Sequence, residues 1–259
     1  MSFTIDERIA YIRGLDINKG PAAPSAAQGD ESASVVGGSA LSFLAGVNNQ
    51  TKEDVMYSTC LAQVVADNKY PGRLRGQEQQ WYDAYVDALQ HLGWSIREFQ
   101  ITDIRDASAY RTVDHLVLVL AAARLTAGEL APFTKTIESL RDARNAGALG
   151  VFDKLAKNDD EAGFQLGVAS HPESSKDAAV LKLGVYTYKA PHSIPASPPL
   201  LRIRGAQGRI PRRMLSPGCS PTAQLTLALD GDVYAQIREE VVRKLGDHIK
   251  EYIRAIHLI

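Results

Sequence analysis

Ala179 to Lys189 reads AVLKLGVYTYK, Phe164 to Val168 reads FQLGV, and HPESSKD (171–177) lies between them. In both stretches large apolar residues alternate with polar or small ones, the period-two pattern of a half-buried strand. The intervening residues have hairpin-loop chemistry, so the two segments are expected to pair antiparallel. Leu225, Leu227 and Leu229 repeat the alternation, and Trp94, Ile96, Phe99 and Ile101 give it with an imperfect register. Leu201 and Ile203 suggest a further short strand, whereas residues 190–200, with Pro191, Pro195, Pro198 and Pro199, cannot lie in a central strand. Strands bunched late in the chain and flanked by helical patterns predict an α+β fold, not repeated βαβ units. The expectation is a single domain over 35–259, an antiparallel sheet of about four to five strands covered by helices.

Working outward, helical periodicity dominates the rest of the chain. Thr4 and Glu7 form a capping box ahead of Ile5, Ile9 and Ile12. Residues 18–34 are rich in Gly, Ala, Pro and Ser, so 1–34 reads as a short helix plus a flexible arm. Val35 to Val47 (VVGGSALSFLAGV) is an apolar run too short to span a bilayer, and it is expected to be a buried helix. Thr51, with Asp54 as box acid, is expected to cap the next helix, and Val55, Cys60, Leu61, Val64 and Val65 supply its inner face. Trp81, Tyr82, Tyr85, Leu89 and Leu92 mark a second helix, stopped at Gly93. A deeply buried helix is expected over 112–125, one from Gly128 to Asn145 with Pro132 in its first turn, and a short one from Gly150 to Lys157. Asp230 or Asp232 caps a long C-terminal helix whose apolar stripe reaches Ile256.

The 29 Lys and Arg residues balance 30 Asp and Glu residues, so overall charge argues against nucleic acid as a partner. Two cysteines cannot build a disulfide scaffold. The first residues lack a basic and an apolar region, which leaves a cytoplasmic protein or one exported without a cleavable signal peptide. The near-neutral total conceals a segregation. Ala178 to Leu229 contains no acid, while Lys182, Lys189, Arg202, Arg204, Arg209, Arg212 and Arg213 contribute +7; the remainder carries 22 bases against 30 acids.

Signatures of catalysis are sparse. Gly37-Gly38-Ser39 lacks a phosphate-loop lysine, and there is no GxSxG elbow, HExxH or CxxC. No metal ligands or cofactor are expected. Asp114-His115 reads as a satisfied helix-end pair ahead of a dyad, and His171 and His192 lie near loops. Cys60 falls on an apolar helix face and reads as a core residue. Cys219 lies in Ser216-Pro217-Gly218-Cys219-Ser220-Pro221, shortly after the arginines, whose guanidinium groups favour a thiolate. Three readings stand open for it: an inert loop thiol, an acyl attachment site, and a nucleophile served by His171 or His192. The arginines likewise have two readings, contact with anionic head groups or ion pairs with acids elsewhere in the chain.

SVVGGSALSFLAGV (34–47), WYDAYVDALQHLGW (81–94), FQLGV, LKLGVYTY and the closing VYAQIREEVVRKLGDHIKEYI (233–253), with a lone cysteine before the last strand, together resemble the Evf-type bacterial virulence factor family. The family is linked to persistence in an insect gut. The resemblance covers about residues 34–257 and implies an α/β fold with no recognised enzyme activity. It further implies a cysteine carrying a fatty acyl (palmitate) thioester that favours membrane association, and by position Cys219 is the candidate. The residues around Cys219 match no motif of the family. A single acyl chain binds membranes marginally and needs a second signal, which the arginines would supply to an anionic lipid surface. A sheet wrapped by helices also resembles Cyt-like cytolytic toxins, and adds pore formation, through 35–47 or the 164–189 hairpin, as an alternative. A cysteine-dependent acyl-transfer or hydrolytic enzyme is the second alternative.

Overall fold

The computed structural model describes residues 3–17, 31–71, 77–102, 113–158, 161–172, 177–189 and 222–259. Its centre is one mixed sheet: β1 (Ser32–Val36), β2 (Ser39–Phe43), β3 (Trp94–Thr102), β4 (Lys157–Asn158), β5 (Glu161–Ser170), β6 (Asp177–Lys189), β7 (Thr222–Asp230) and β8 (Ile253–Ile256). The strand order is β3-β7-β6-β5-β2-β1-β8, with β4 paired to β5. The β5–β6 hairpin forms as the alternation predicts, and Phe164 faces Tyr186 across it. The sheet is larger than expected, and it is not purely antiparallel. β2 runs parallel to β5, with Leu41 opposite Gly167 and Phe43 opposite Ala169. The expected strand at Leu201 and Ile203 lies outside the described residues.

Residues 35–47 do not form the expected helix: 35–43 belong to the β1–β2 hairpin, and the turn before α2 takes up 44–47. Every residue of both strands is buried. A strand covered on both faces has no reason to alternate, so its continuous apolar run cannot be told from a buried helix by periodicity. The turn needs Gly37, whose φ of 59° is disfavoured for other residues. It is also closed from above. Gln63, buried on the neighbouring helix, accepts a hydrogen bond from the Gly38 N–H at 3.0 Å through Oε1 and donates through Nε2 to the Val36 carbonyl at 2.9 Å. A Cβ on Gly37 would lie 2.4 Å from that Oε1.

Helices cover both faces. On one side α1 (Ile5–Gly14), α2 (Asn49–Lys69), α3 (Glu78–His91) and α7 (Gly231–Leu245) pack over Leu41, Phe43, Leu181, Leu183, Leu227 and Leu229. On the other, α4 (Val113–Ala122), α5 (Ala127–Leu140) and α6 (Ala146–Ala156) cover Val35, Ala40, Phe164, Leu166 and Val168. The even and odd residues of β5 and β6 thus feed two separate cores. α1 begins at the expected Thr4–Glu7 capping box. It is held by Arg8, which donates to the Gln90 and His91 carbonyls, and by Lys244, which donates to the Arg13 and Leu15 carbonyls.

Several helix ends differ from expectation. Asn48, not Thr51, caps α2, since its Oδ1 accepts from the Thr51 N–H at 2.8 Å. Asp54 instead holds Arg238 of α7 in two hydrogen bonds of 2.7 Å. Pro132 is the sixth residue of α5 and so falls in its second turn, not its first; the helix begins after the Thr126 cap. α4 is only partly covered, and Val119 is exposed. The long C-terminal helix capped by Asp230 stops at Leu245, where Gly246 takes φ 50°. A five-residue α8 (His248–Tyr252) follows, and the last of the apolar stripe, Ile253 and Ile256, turns inward from edge strand β8.

Replacing Gln63 by Met keeps the volume but orphans the Gly38 N–H and the Val36 carbonyl. Urea unfolding is expected to show a loss of about 2–4 kcal/mol, with Asn49→Ala in the exposed first turn of the same helix changing stability by about 0.5 kcal/mol or less.

Candidate functional site

β6 ends at Lys189 and its antiparallel neighbour β7 begins at Thr222, so residues 190–221 connect adjacent strands at one end of the sheet. That connection carries Arg202, Arg204, Arg209, Arg212, Arg213, Cys219 and His192, all of which lie outside the described residues. The side chains of Asp114 and His115 also lie outside them. Within the acid-free segment the described side chain of Lys182 follows the ion-pair reading, since its Nζ donates to Glu129 Oε2 of α5 at 2.8 Å.

Sequence reasoning missed a cleft of about 300 Å³ between the sheet and the α4–α5 helices. On β6 the residues facing α4 and α5 are Lys182, Gly184 and Tyr186, and the Tyr186 ring lies over Gly184, where a Cβ would fall 2.5 Å from its hydroxyl. The pairing of β7 places Thr226 beside Lys182 and Gln224 beside Gly184, and β3 adds Glu98 beside Thr226. Arg124, in the turn after α4, overhangs this row with Nη1 3.8 Å from Glu98 Oε2. Leu125 and Phe133 complete the apolar wall.

The polar groups of the cleft fall into two sets. Glu129, the partner of Lys182 beside the cleft, gathers three donors on Oε2: besides Lys182 it accepts there from the Thr126 N–H at 2.8 Å and the Thr126 hydroxyl at 3.0 Å. Burial pushes its carboxyl up, but the Lys182 and Thr126 hydrogen bonds outweigh that and hold it below the ordinary carboxylate value. The second set is incomplete. Gln224 donates weakly to the Leu120 carbonyl at 3.4 Å, while among the described residues neither its buried Oε1 nor the buried Nη2 of Arg124 has a hydrogen-bond partner. The sequence signal nearest to the cleft is the glycine between Lys182 and Tyr186, which strand alternation alone does not distinguish from any other small residue.

Elsewhere chemistry is muted. Cys60 is a core residue, as expected, and burial, with Asp67 nearby, pushes its thiol far above the ordinary range. The His171 ring is bonded through Nδ1 to the Pro172 carbonyl at 2.9 Å. Among the described residues there is no group of His, Cys, Asp and Glu placed to hold a metal, and no helix long and apolar enough to cross a membrane.

No family model and no curated protein matches the chain. Among solved structures, the Evf virulence factor is similar over 93% of this chain and 90% of its own, with 10% sequence identity and a TM-score of 0.37. The likeness is a distant structural one, and at that score it carries no argument about function.

The low-lying Glu129 carboxylate contributes stability that is complete above the unfolded-state value and is lost as pH falls through the folded one, below about pH 4.5. Glu129→Gln is expected to cost about 1–2 kcal/mol at neutral pH. Its unfolding free energy, measured by urea titration at stepped pH, should fall less steeply than the parent's on the acid side.

Proposed function

We propose that the protein is a non-catalytic, virulence-type protein that associates with anionic membrane surfaces through a fatty acyl (palmitate) thioester on Cys219 and the arginines Arg202, Arg204, Arg209, Arg212 and Arg213. One observation carries the reading: the acid-free, arginine-rich stretch and its cysteine belong to a single strand-to-strand connection, residues 190–221. A single myristoyl chain gives a binding constant of only about 10⁴ M⁻¹ and the longer palmitoyl chain somewhat more, while basic residues add roughly 1 kcal/mol each near an anionic surface. Neither signal suffices alone; Cys219 lies six residues after Arg213, so the two act on the same patch of lipid.

Pore formation is the less favoured alternative, for a physical reason. The β5–β6 hairpin is bordered by β2 and β7, and β1–β2 by β5 and β8. Either hairpin would have to break ladder hydrogen bonds on both sides before inserting.

Intact-mass measurement of protein from its native host is expected to show a fatty acyl addition that hydroxylamine removes. Cys219→Ser should co-sediment with anionic vesicles at least about tenfold less well, and the parent's binding should weaken as salt rises. An unmodified mass together with no binding to anionic vesicles at low salt overturns the proposal. Dye release from the same vesicles would favour the pore-forming alternative.

A further inference from the structure

β3 closes one end of the sheet, and among the described residues it pairs only with β7. Its far side therefore offers a row of unpaired backbone groups, the template for another strand. The strand is built around a bulge: Ile96 lies opposite Leu227 and Glu98 opposite Thr226, so Arg97 is the extra residue. In a regular strand, residues three apart lie on opposite faces. Here the bulge sets Ile96 and Phe99 on one face, with Leu227 and Leu225. Both are exposed, Phe99 by 59%, whereas Trp94 at the start of the strand is buried. Arg97 and Glu98 lie toward the other face. Glu98 accepts from the Thr226 hydroxyl, and Arg97 reaches Asp177, whose strand partner Asp230 continues the row of Thr226 and Ala228.

We infer that β3 pairs antiparallel with β3 of a second copy of this chain, about a two-fold axis between Arg97 and Glu98. Such an axis stands perpendicular to the sheet and keeps every residue on its own face, so opposed residues must share a face. With the two bulges at the centre, Ile96 meets Phe99 of the partner subunit, Ser95 meets Gln100 of the partner subunit, and Arg97 meets Glu98 of the partner subunit. Each pair occurs twice. The apolar pairs cover the exposed stripe, and the opposite charges match on its reverse. A slip of one residue sets apolar residues opposite polar ones, which fixes the register. Both charged side chains keep atoms for the contact. Among the described residues Arg97 holds Asp177 through Nη2 alone, and Glu98 meets Thr226 and Arg124 through Oε2 alone. A bulge and charges ordinarily guard a free edge against association. This guard leaves Arg97 and Glu98 unmatched against a foreign strand and matches them against their own copy.

Sedimentation velocity of the full chain is expected to show a concentration-dependent dimer at about 100 μM, as suits the small interface of one strand pair. Hydrogen exchange of the same samples should slow over residues 95–100 as the dimer fills, and stay unchanged over the opposite edge strand, β8. Arg97→Glu sets acid against acid across the axis, and Glu98→Arg sets base against base. Each variant, checked for folding by circular dichroism, should weaken the dimer at least about tenfold. Mixing the two should restore it as a heterodimer, because every opposed pair is again of opposite sign. The inference is overturned by a parent that stays monomeric at about 500 μM, by a dimer that survives either reversal, or by folded variants that fail to pair on mixing. A dimer whose formation leaves exchange over 95–100 unchanged overturns it too, and that measurement on the unaltered chain decides the matter should a variant misfold.

Discussion

One buried side-chain amide joins the two parts of this sheet. Gln63 projects from α2 onto the β1–β2 turn, satisfies the Gly38 N–H and the Val36 carbonyl, and donates also to Ser39 Oγ at 3.0 Å. The Ser39 hydroxyl donates in turn to Gln165 of β5 at 2.8 Å, while the Gln165 N–H reaches the Gly38 carbonyl at 3.0 Å. This short chain of polar groups crosses the parallel β2–β5 seam, the place where the three-stranded β8-β1-β2 unit meets the antiparallel β5-β6-β7-β3 unit. A hairpin turn ordinarily lies in water, which satisfies its backbone. Here the turn is covered, so each of those groups needs a partner from the protein, and the network fixes the register of the seam.

Much of the fold was legible because most elements are half-buried and so display their period. β3, β5, β6 and β7, α1, α3 and the Asp230 cap of α7 all follow from alternation, helical spacing and cap residues. The exceptions share a cause. β1 and β2 are buried on both faces and β8 is a four-residue continuation of a helical stripe, so local pattern could not separate them from helix. What decides β8 is tertiary: β1 offers an open edge, and Ile253 and Ile256 bury their side chains by pairing with it. The parallel seam was equally invisible, since the alternation of β5 says which residues face inward and nothing about the direction of the neighbouring strand.

The cleft was hidden for a different reason. None of its polar residues belongs to a motif; Arg124, Glu98, Gln224 and Lys182 come from four separate elements, and only the strand registers bring them together. The charge segregation was visible from composition, yet its meaning divides. Lys182 turned out to be neutralised by Glu129 across the sheet–helix interface, as an ordinary ion pair, whereas the five arginines sit on the 190–221 connection. Cys60 shows the converse: an apolar helical face was enough to predict an inert thiol.

The pairing of β1 with β8 has a consequence for the order of events during synthesis. Ala33 meets Ile256, and Ser42 meets Val168, so the hairpin made first is completed by strands made much later. While the ribosome adds α2 to α6, both edges of a hairpin built of apolar residues and serines lack their final partners. Contacts this distant in sequence are slow to form, because the intervening chain must be gathered before they return any stability. Until then the nascent chain carries an adhesive ribbon, and its protection rests on how early α2 can fold down over the Gly37-Gly38 turn.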